Sequence, residues 1–255
     1  MSINPERLLE SRLPWLTFLV NRIEKRLEGG TILGNETWSS EVRAWLTDVS
    51  WTKNFARAEQ DVASDPARIR DLLDFINSDQ GSTKFTAEKI LRNLSESQPA
   101  LLYPYFDAIV PWLDSPNAFI QWGGIYILGN LVTVDSEHKF LAVFERFFSL
   151  LNQPAMITAA NVAAMVPPII GQYPDLEPEI TRRLLAVTAN TYDRKNQPSP
   201  ECKNIMLGHV LDSFDVYYER ATAKDQILDF AQTLTDNSRA AVARKARKFL
   251  EKHQR

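Results

Sequence analysis

Apolar residues recur at three- and four-residue steps along nearly the whole chain, while strict apolar/polar alternation is absent, so the pattern predicts helices and almost no strand. Between Pro5 and Leu27 the stripe is Leu8, Leu9, Leu13, Leu16, Leu19, Val20, Ile23 and Leu27, with Gly29-Gly30 as a helix stop. Trp38, Val42, Trp45, Leu46 and Val49 form a second stripe after the polar turn Gly34-Asn35. From Pro66 onward the pattern repeats. Ile90-Leu91-Arg92-Asn93-Leu94 returns 37 residues later as Ile127-Leu128-Gly129-Asn130-Leu131. Leu102, Phe106, Ile109, Val110 and Leu113 return 38 residues later as Phe140, Phe144, Phe147, Phe148 and Leu151.

A period of this length marks stacked two-helix units, none of which can bury its apolar face alone. The first unit has an outer helix from Pro66 to Asn77 and an inner helix ending near Ser97. The others run from Pro99 to Val134, Glu137 to Tyr173, Glu177 to Tyr218, and Thr222 to the end. Their internal turns fall at Asp79, Pro116, Pro154, Pro200 and Ser238, spaced by 37, 38, 46 and 38 residues. The long interval contains Asp193 to Ser199, a polar insertion expected to be a surface loop. The predicted fold is therefore all-α: a superhelical solenoid of about five helix pairs over residues 66–255, one continuous structural domain. Residues 1–65 lack the repeat and are expected to be a helical cap over its exposed end.

Helical geometry then separates core from surface. In the second helix of the Pro99 unit, Ile120, Gly124, Ile127, Leu128 and Leu131 share one side, and Phe119, Trp122, Tyr126 and Thr133 share the other. A helix apolar all round is either enclosed by its neighbours or presents a second stripe to a partner, and both readings are open at this level. The equivalent face carries Phe85, Lys89, Arg92 and Glu96 in the first unit and Ala155, Ala159 and Ala163 in the third. It carries Glu201, Gly208, Asp212 and Asp215 in the fourth, and Arg244, Lys248 and Arg255 in the last. The expected binding surface is thus Phe85, Lys89, Arg92, Phe119, Trp122, Tyr126, Asp212, Arg244 and Lys248. Mixed charge suits a polypeptide, whereas a phosphate backbone would meet repulsion at the acidic fourth unit.

Composition changes this picture little. Of 255 residues, 44% are hydrophobic and 24% charged, which places the chain among folded proteins, and a net charge of −3 argues against a general binder of nucleic acid or anionic membrane. A single cysteine, Cys202, leaves no intramolecular disulfide. Without a signal-like start or a run of about 20 apolar residues, the expected location is the cytoplasm, as a monomer. Candidate chemistry is sparse. Cys202 and His209 lie seven residues apart on one helix, about 10 Å along the axis, too far for a nucleophile and its base. His209 and Asp212 supply only two metal ligands, and Gly29 to Gly34 has neither a preceding strand nor a Gly-Lys-Ser/Thr ending. No catalytic residue, metal or cofactor is expected. The mid-helix glycines Gly123, Gly124 and Gly129 read as close helix packing.

The Pro-turned helix pairs, with small residues such as Gly124, Ala160 and Ala246 on the second helices, resemble HEAT-type repeats over about residues 66–253. The resemblance implies an α-α superhelix whose second helices line a concave surface that binds proteins or, in a minority, nucleic acid. It identifies the architecture rather than the partner; with the mixed-charge surface and the sparse candidate chemistry, the expected function is a non-catalytic scaffold or adaptor with a protein or peptide partner. The alternative is a nucleic-acid-binding protein similar to the HEAT-like DNA alkylation-repair glycosylases, with Trp122, Tyr126 and Asp212 in the groove and Arg92 and Arg244 on phosphates. Its departures are the acidic balance and the two repeats that separate the carboxylate from the aromatics. The C-terminal helix, Ser238 to Gln254, carries Arg239, Arg244, Lys245, Arg247, Lys248 and Lys252, which suits either a solvated end cap or docking of an acidic partner.

Overall fold

The structure, a computed structural model, describes residues 35–78 and 81–254, with side chains from residue 40. The expected helix over residues 5–27, the Gly29 to Gly34 loop, the side chain of Trp38, the turn residue Asp79 and Arg255 lie outside the described residues. Contacts divide the chain into two compact units, Met1–Ala44 and Trp45–Arg255. In the first, only the opening turns of helix α1 (Asn35–Thr52) are described. The second holds the repeats, together with α2 (Phe55–Ser64), whose buried Ala58 and Val62 face α3 (Ala67–Ser78) and α4 (Lys84–Ser97).

Each repeat is a helix pair built as the apolar periodicity predicts, with caps and prolines setting the ends. The first pair is α3 and α4. Asn117 caps α7 (Ala118–Leu131), its Oδ1 accepting from Phe119 N at 3.1 Å and Ile120 N at 3.4 Å. Ser199 caps α12 (Pro200–Tyr217) in the same way, with Pro200 at the first helical position, where its missing N–H costs nothing. Interior prolines break two helices that the repeat pattern reads as continuous. The first helix of the second pair becomes α5 (Pro99–Leu102), a 3₁₀ turn Tyr103–Tyr105, α6 (Phe106–Ile109) and a 3₁₀ turn Val110–Asp114, because Pro104 and Pro111 donate no backbone hydrogen bond. The second helix of the third pair, which follows α8 (Lys139–Ser149), splits into α9 (Met156–Ala164) and α10 (Val166–Gln172) at Pro167-Pro168. The fourth pair is α11 (Glu177–Ala186) and α12, and the fifth is α13 (Lys224–Thr233) and α14 (Ala240–His253).

The polar insertion between α11 and α12 lies at the surface as expected, with Arg194 to Pro198 exposed, but it is more ordered than a plain loop. It forms a hairpin, β1 (Asp193–Arg194) against β2 (Gln197–Pro198), turned by Lys195 and Asn196 in the left-handed region at φ of 54° and 59°. Its base is docked on the preceding repeat. Asp193 N donates to the Pro154 carbonyl at 2.8 Å, and the fully buried Tyr192 donates its hydroxyl to the Leu151 carbonyl at 2.7 Å.

The core runs continuously between the two helix layers. Second helices stack directly on one another, α4 on α7, α7 on α9, α9 on α12 and α12 on α14, so they form the tighter, inner layer of the stack. Helix α7 shows why its sequence is apolar on every side. A Cβ added at Gly123 would sit 2.6 Å from Glu88 Cγ in the preceding repeat, one at Gly124 2.8 Å from Trp112 Cβ within its own pair, and one at Gly129 2.7 Å from Met165 Cβ in the following repeat. Three glycines thus admit three neighbours. The Cβ added at Gly124 would also sit 3.3 Å from the Trp112 carbonyl carbon, backbone that cannot swing away, so Gly124→Ala is expected to lower stability by about 1 to 3 kcal/mol despite its better helix propensity. Urea unfolding checks this.

Candidate binding surface on the second helices

Residues of α7 divide as the angular pattern requires. Ile120, Gly124, Ile127, Leu128 and Leu131 are buried, Phe119 and Thr133 are exposed, and Trp122 and Tyr126 are half-buried. Phe119, 58% exposed, packs edge-on to Trp122 with ring centroids 5.1 Å apart and tilts against Phe85 of α4 at 5.3 Å. The three rings form one cluster across two repeats. Beside it the Arg92 guanidinium lies 5.7 Å from the Tyr126 ring while its Nε donates to Glu88 Oε1 at 2.8 Å. Lys89 is exposed, its ammonium 4.2 Å from the centroid of Phe55 on α2. The cations that the sequence assigned to a ligand therefore also rest on aromatic faces of this chain.

Trp122 and Tyr126 carry a second role that periodicity did not disclose. Trp122 Nε1 donates to Thr158 Oγ1 at 3.0 Å, Tyr126 Oη to Asn161 Oδ1 at 3.2 Å, and Thr158 Oγ1 in turn to the buried Gln121 Oε1 at 3.1 Å. Their rims face outward and their polar ends pin the second repeat to the third. On α9 the exposed positions are Ile157 and Ala164. Ala159 and Ala163, expected at the surface, are 0% exposed, because α9 is short and packs both α7 and α12 along that side.

The acidic fourth unit is largely spoken for. Lys245 Nζ donates to Asp212 Oδ2 at 2.5 Å and to the Gly208 carbonyl at 3.0 Å, Lys252 Nζ to Asp215 Oδ1 at 2.9 Å, and Arg239 to Glu201. His253 Nε2 lies 2.7 Å from Asp215 Oδ1. Burial pushes the Asp215 carboxyl up, but Lys252 and His253 outweigh it and hold it below the usual carboxylate range. Arg244 and Lys248 are exposed, and among the described residues neither meets a carboxylate.

Cys202 is buried, and burial together with the nearby Lys245 holds the His209 imidazole below its ordinary pKa against the pull of Asp212. Among the described residues no three His, Cys, Asp or Glu side chains are grouped to hold a metal ion, and no helix is long and apolar enough to cross a membrane. Trp122 and Tyr126 on α7 are separated from Asp212 on α12 by α9.

No protein-family model matches the chain, and no curated protein matches it in sequence. Among solved structures it is similar to a designed armadillo repeat protein, with a TM-score of 0.52 and 13% identity over 83% of this chain and 93% of that chain. With the helix pairs and the stacked second helices, this defines the class: an all-helical repeat solenoid of the armadillo and HEAT-like kind.

Proposed function

We propose that the chain is a non-catalytic scaffold or adaptor that binds a polypeptide segment along the inner layer formed by α4, α7, α9, α12 and α14. The observation that carries this reading is the position of its exposed large apolar side chains. Of the five such side chains among the described residues, Trp51 lies on α1 and Leu141 on α8, whereas Phe119, Ile157 and Val216, at 58%, 48% and 66% exposure, project from three successive second helices, and Phe119 heads an aromatic cluster flanked by Lys89 and Arg92. Large apolar groups left in water on consecutive repeats cost free energy that a partner's side chains recover, and aromatics with arginine are the groups that most often carry binding energy. The mixture of cations, carboxylates and apolar groups fits a peptide better than a phosphate chain. On this reading the protein acts as a cytoplasmic monomer and engages neither membrane nor nucleic acid.

Affinity capture with the intact chain, from extracts of its own organism, tests the proposal against Phe119→Glu. The variant places a charge at an exposed position and is expected to fold normally while losing the captured polypeptide. Equal capture by both proteins, or capture of nucleic acid in its place, contradicts the reading.

A further inference from the structure

The basic face of α14 separates into two sets. Arg239, Lys245, Arg247 and Lys252 are bound to groups of this chain: Glu201, Asp212, the Thr235 carbonyl with Asp236, and Asp215. Arg244 and Lys248, one helical turn apart, point away from the buried side of the helix at Val242, Ala243, Ala246, Phe249 and Leu250, and meet no carboxylate among the described residues. An end cap requires only solvation, and the exposed Arg247 and Glu251, which lie outside the cleft between α12 and α14, already supply it. Arg244 and Lys248 instead line a cleft between α12 and α14, with Asp212, Asp215, Lys245 and Lys252. Four cations against two carboxylates leave that cleft with two uncompensated positive charges. The neutral apolar stretch of the surface, at Phe119 and Ile157, lies on α7 and α9 of the same inner layer.

We infer that the cleft between α12 and α14 binds an acidic stretch of the same polypeptide whose apolar residue sits on the Phe119 cluster, with Arg244 and Lys248 each meeting a carboxylate side chain. This inference rests on the polypeptide-binding reading and adds the partner's sequence pattern to it. Three helix-to-helix steps of about 8 to 10 Å separate α7 from α14, or roughly 24 to 30 Å, which an extended chain covers in roughly seven to nine residues. The partner segment therefore carries a large apolar or aromatic residue and, about eight residues away, a pair of Asp or Glu residues. Charges at the rim of an interface act mainly on choice of partner and on association rate, so the acidic pair selects the ligand while the apolar residue holds it.

A phage-displayed library of random peptides, about 16 residues long so that each can span both sites, serves as the probe. It is selected in parallel on the intact chain, on Phe119→Glu and on Arg244→Glu/Lys248→Glu, each checked for its fold by circular dichroism. Peptides selected on the unaltered chain are expected to pair an apolar anchor with acidic residues at the stated spacing, enriched about fivefold or more over the naive library. The double charge reversal should abolish the acidic enrichment or invert it to Lys and Arg while keeping the anchor. Should the reversal perturb the fold, Arg244→Gln/Lys248→Gln, which keeps side-chain length, is expected to lose the acidic enrichment alone. Selection of apolar anchors with no acidic preference, or with the same preference on the charge-altered proteins, overturns the inference and leaves the polypeptide-binding reading standing. Failure to enrich any peptide on the unaltered chain overturns both.

Discussion

Replacing Asp135 by alanine is expected to lower stability by about 3 to 5 kcal/mol, because three buried donors and one part-buried donor would lose their shared acceptor group. The carboxylate is 0% exposed and sits where three segments meet. It accepts from Tyr103 Oη at 2.6 Å and Tyr173 Oη at 2.7 Å, and from the backbone N–H groups of Lys139 at 2.9 Å and Phe140 at 2.8 Å, which open α8. The tyrosines belong to the preceding and following segments, so one residue fastens a helix start to both. Burial alone would push its pKa up. The two tyrosine hydroxyls and two amides outweigh burial and hold the carboxyl below its ordinary range. The sign follows: the stabilisation is fully present above the unfolded pKa of about 3.9 and is lost as pH falls through the lower folded value. Asp135→Asn should lose less, since one amide oxygen still accepts, and should flatten the acid limb of the stability profile. Urea unfolding from pH 7 downward measures both effects.

The second large effect separates two neighbouring aromatics. Phe119→Ala is expected to cost about 2 kcal/mol in partner affinity while changing stability by under about 1 kcal/mol, because its ring is mostly in water before binding. Trp122→Ala is expected to lower both affinity and stability, the latter by about 2 to 3 kcal/mol, because it removes a half-buried ring and leaves the buried Thr158 hydroxyl without its donor. Tyr126 shares that behaviour through Asn161. From sequence alone, Trp122 and Tyr126 are either enclosed by neighbouring helices or presented to a partner, and only the second reading leaves the fold intact on their removal. The structure shifts that clean test to Phe119. Calorimetry of binding beside denaturant unfolding distinguishes the two residues.

This contrast shows where sequence reading stopped. The helix pairs were legible because stacked repeats impose a 3.6-residue apolar period and a return about every 38 residues, and Pro116, Pro154 and Pro200 mark the turns. The close approaches at Gly123, Gly124 and Gly129 were legible for the same reason, since glycine in a helix interior is otherwise a cost. The helix breaks at Pro104, Pro111 and Pro167 also carry a sequence signal, the missing amide, which the continuous apolar pattern masked. What periodicity could not show is which polar groups meet between repeats. Trp122 with Thr158, Asp212 with Lys245 and Asp215 with Lys252 are 36, 33 and 37 residues apart, and each pairing depends on the rotation of one helix about its neighbour. The same rotation buries Ala159 and Ala163 and turns Ile157 outward. Tyr192 carries no periodic signal, because it is a lone buried anchor at the edge of a polar insertion.

A benzophenone side chain placed at Phe119 of the inner layer, or at Leu141 on α8 of the outer layer, tests the central claim most directly, since the native residues are 58% and 47% exposed and differ chiefly in the layer they mark. Illumination of each intact protein in extract of its own organism is expected to give a discrete polypeptide cross-link from position 119 and none from position 141. Cross-linking from position 141 alone, or equally from both, would contradict binding along the second helices.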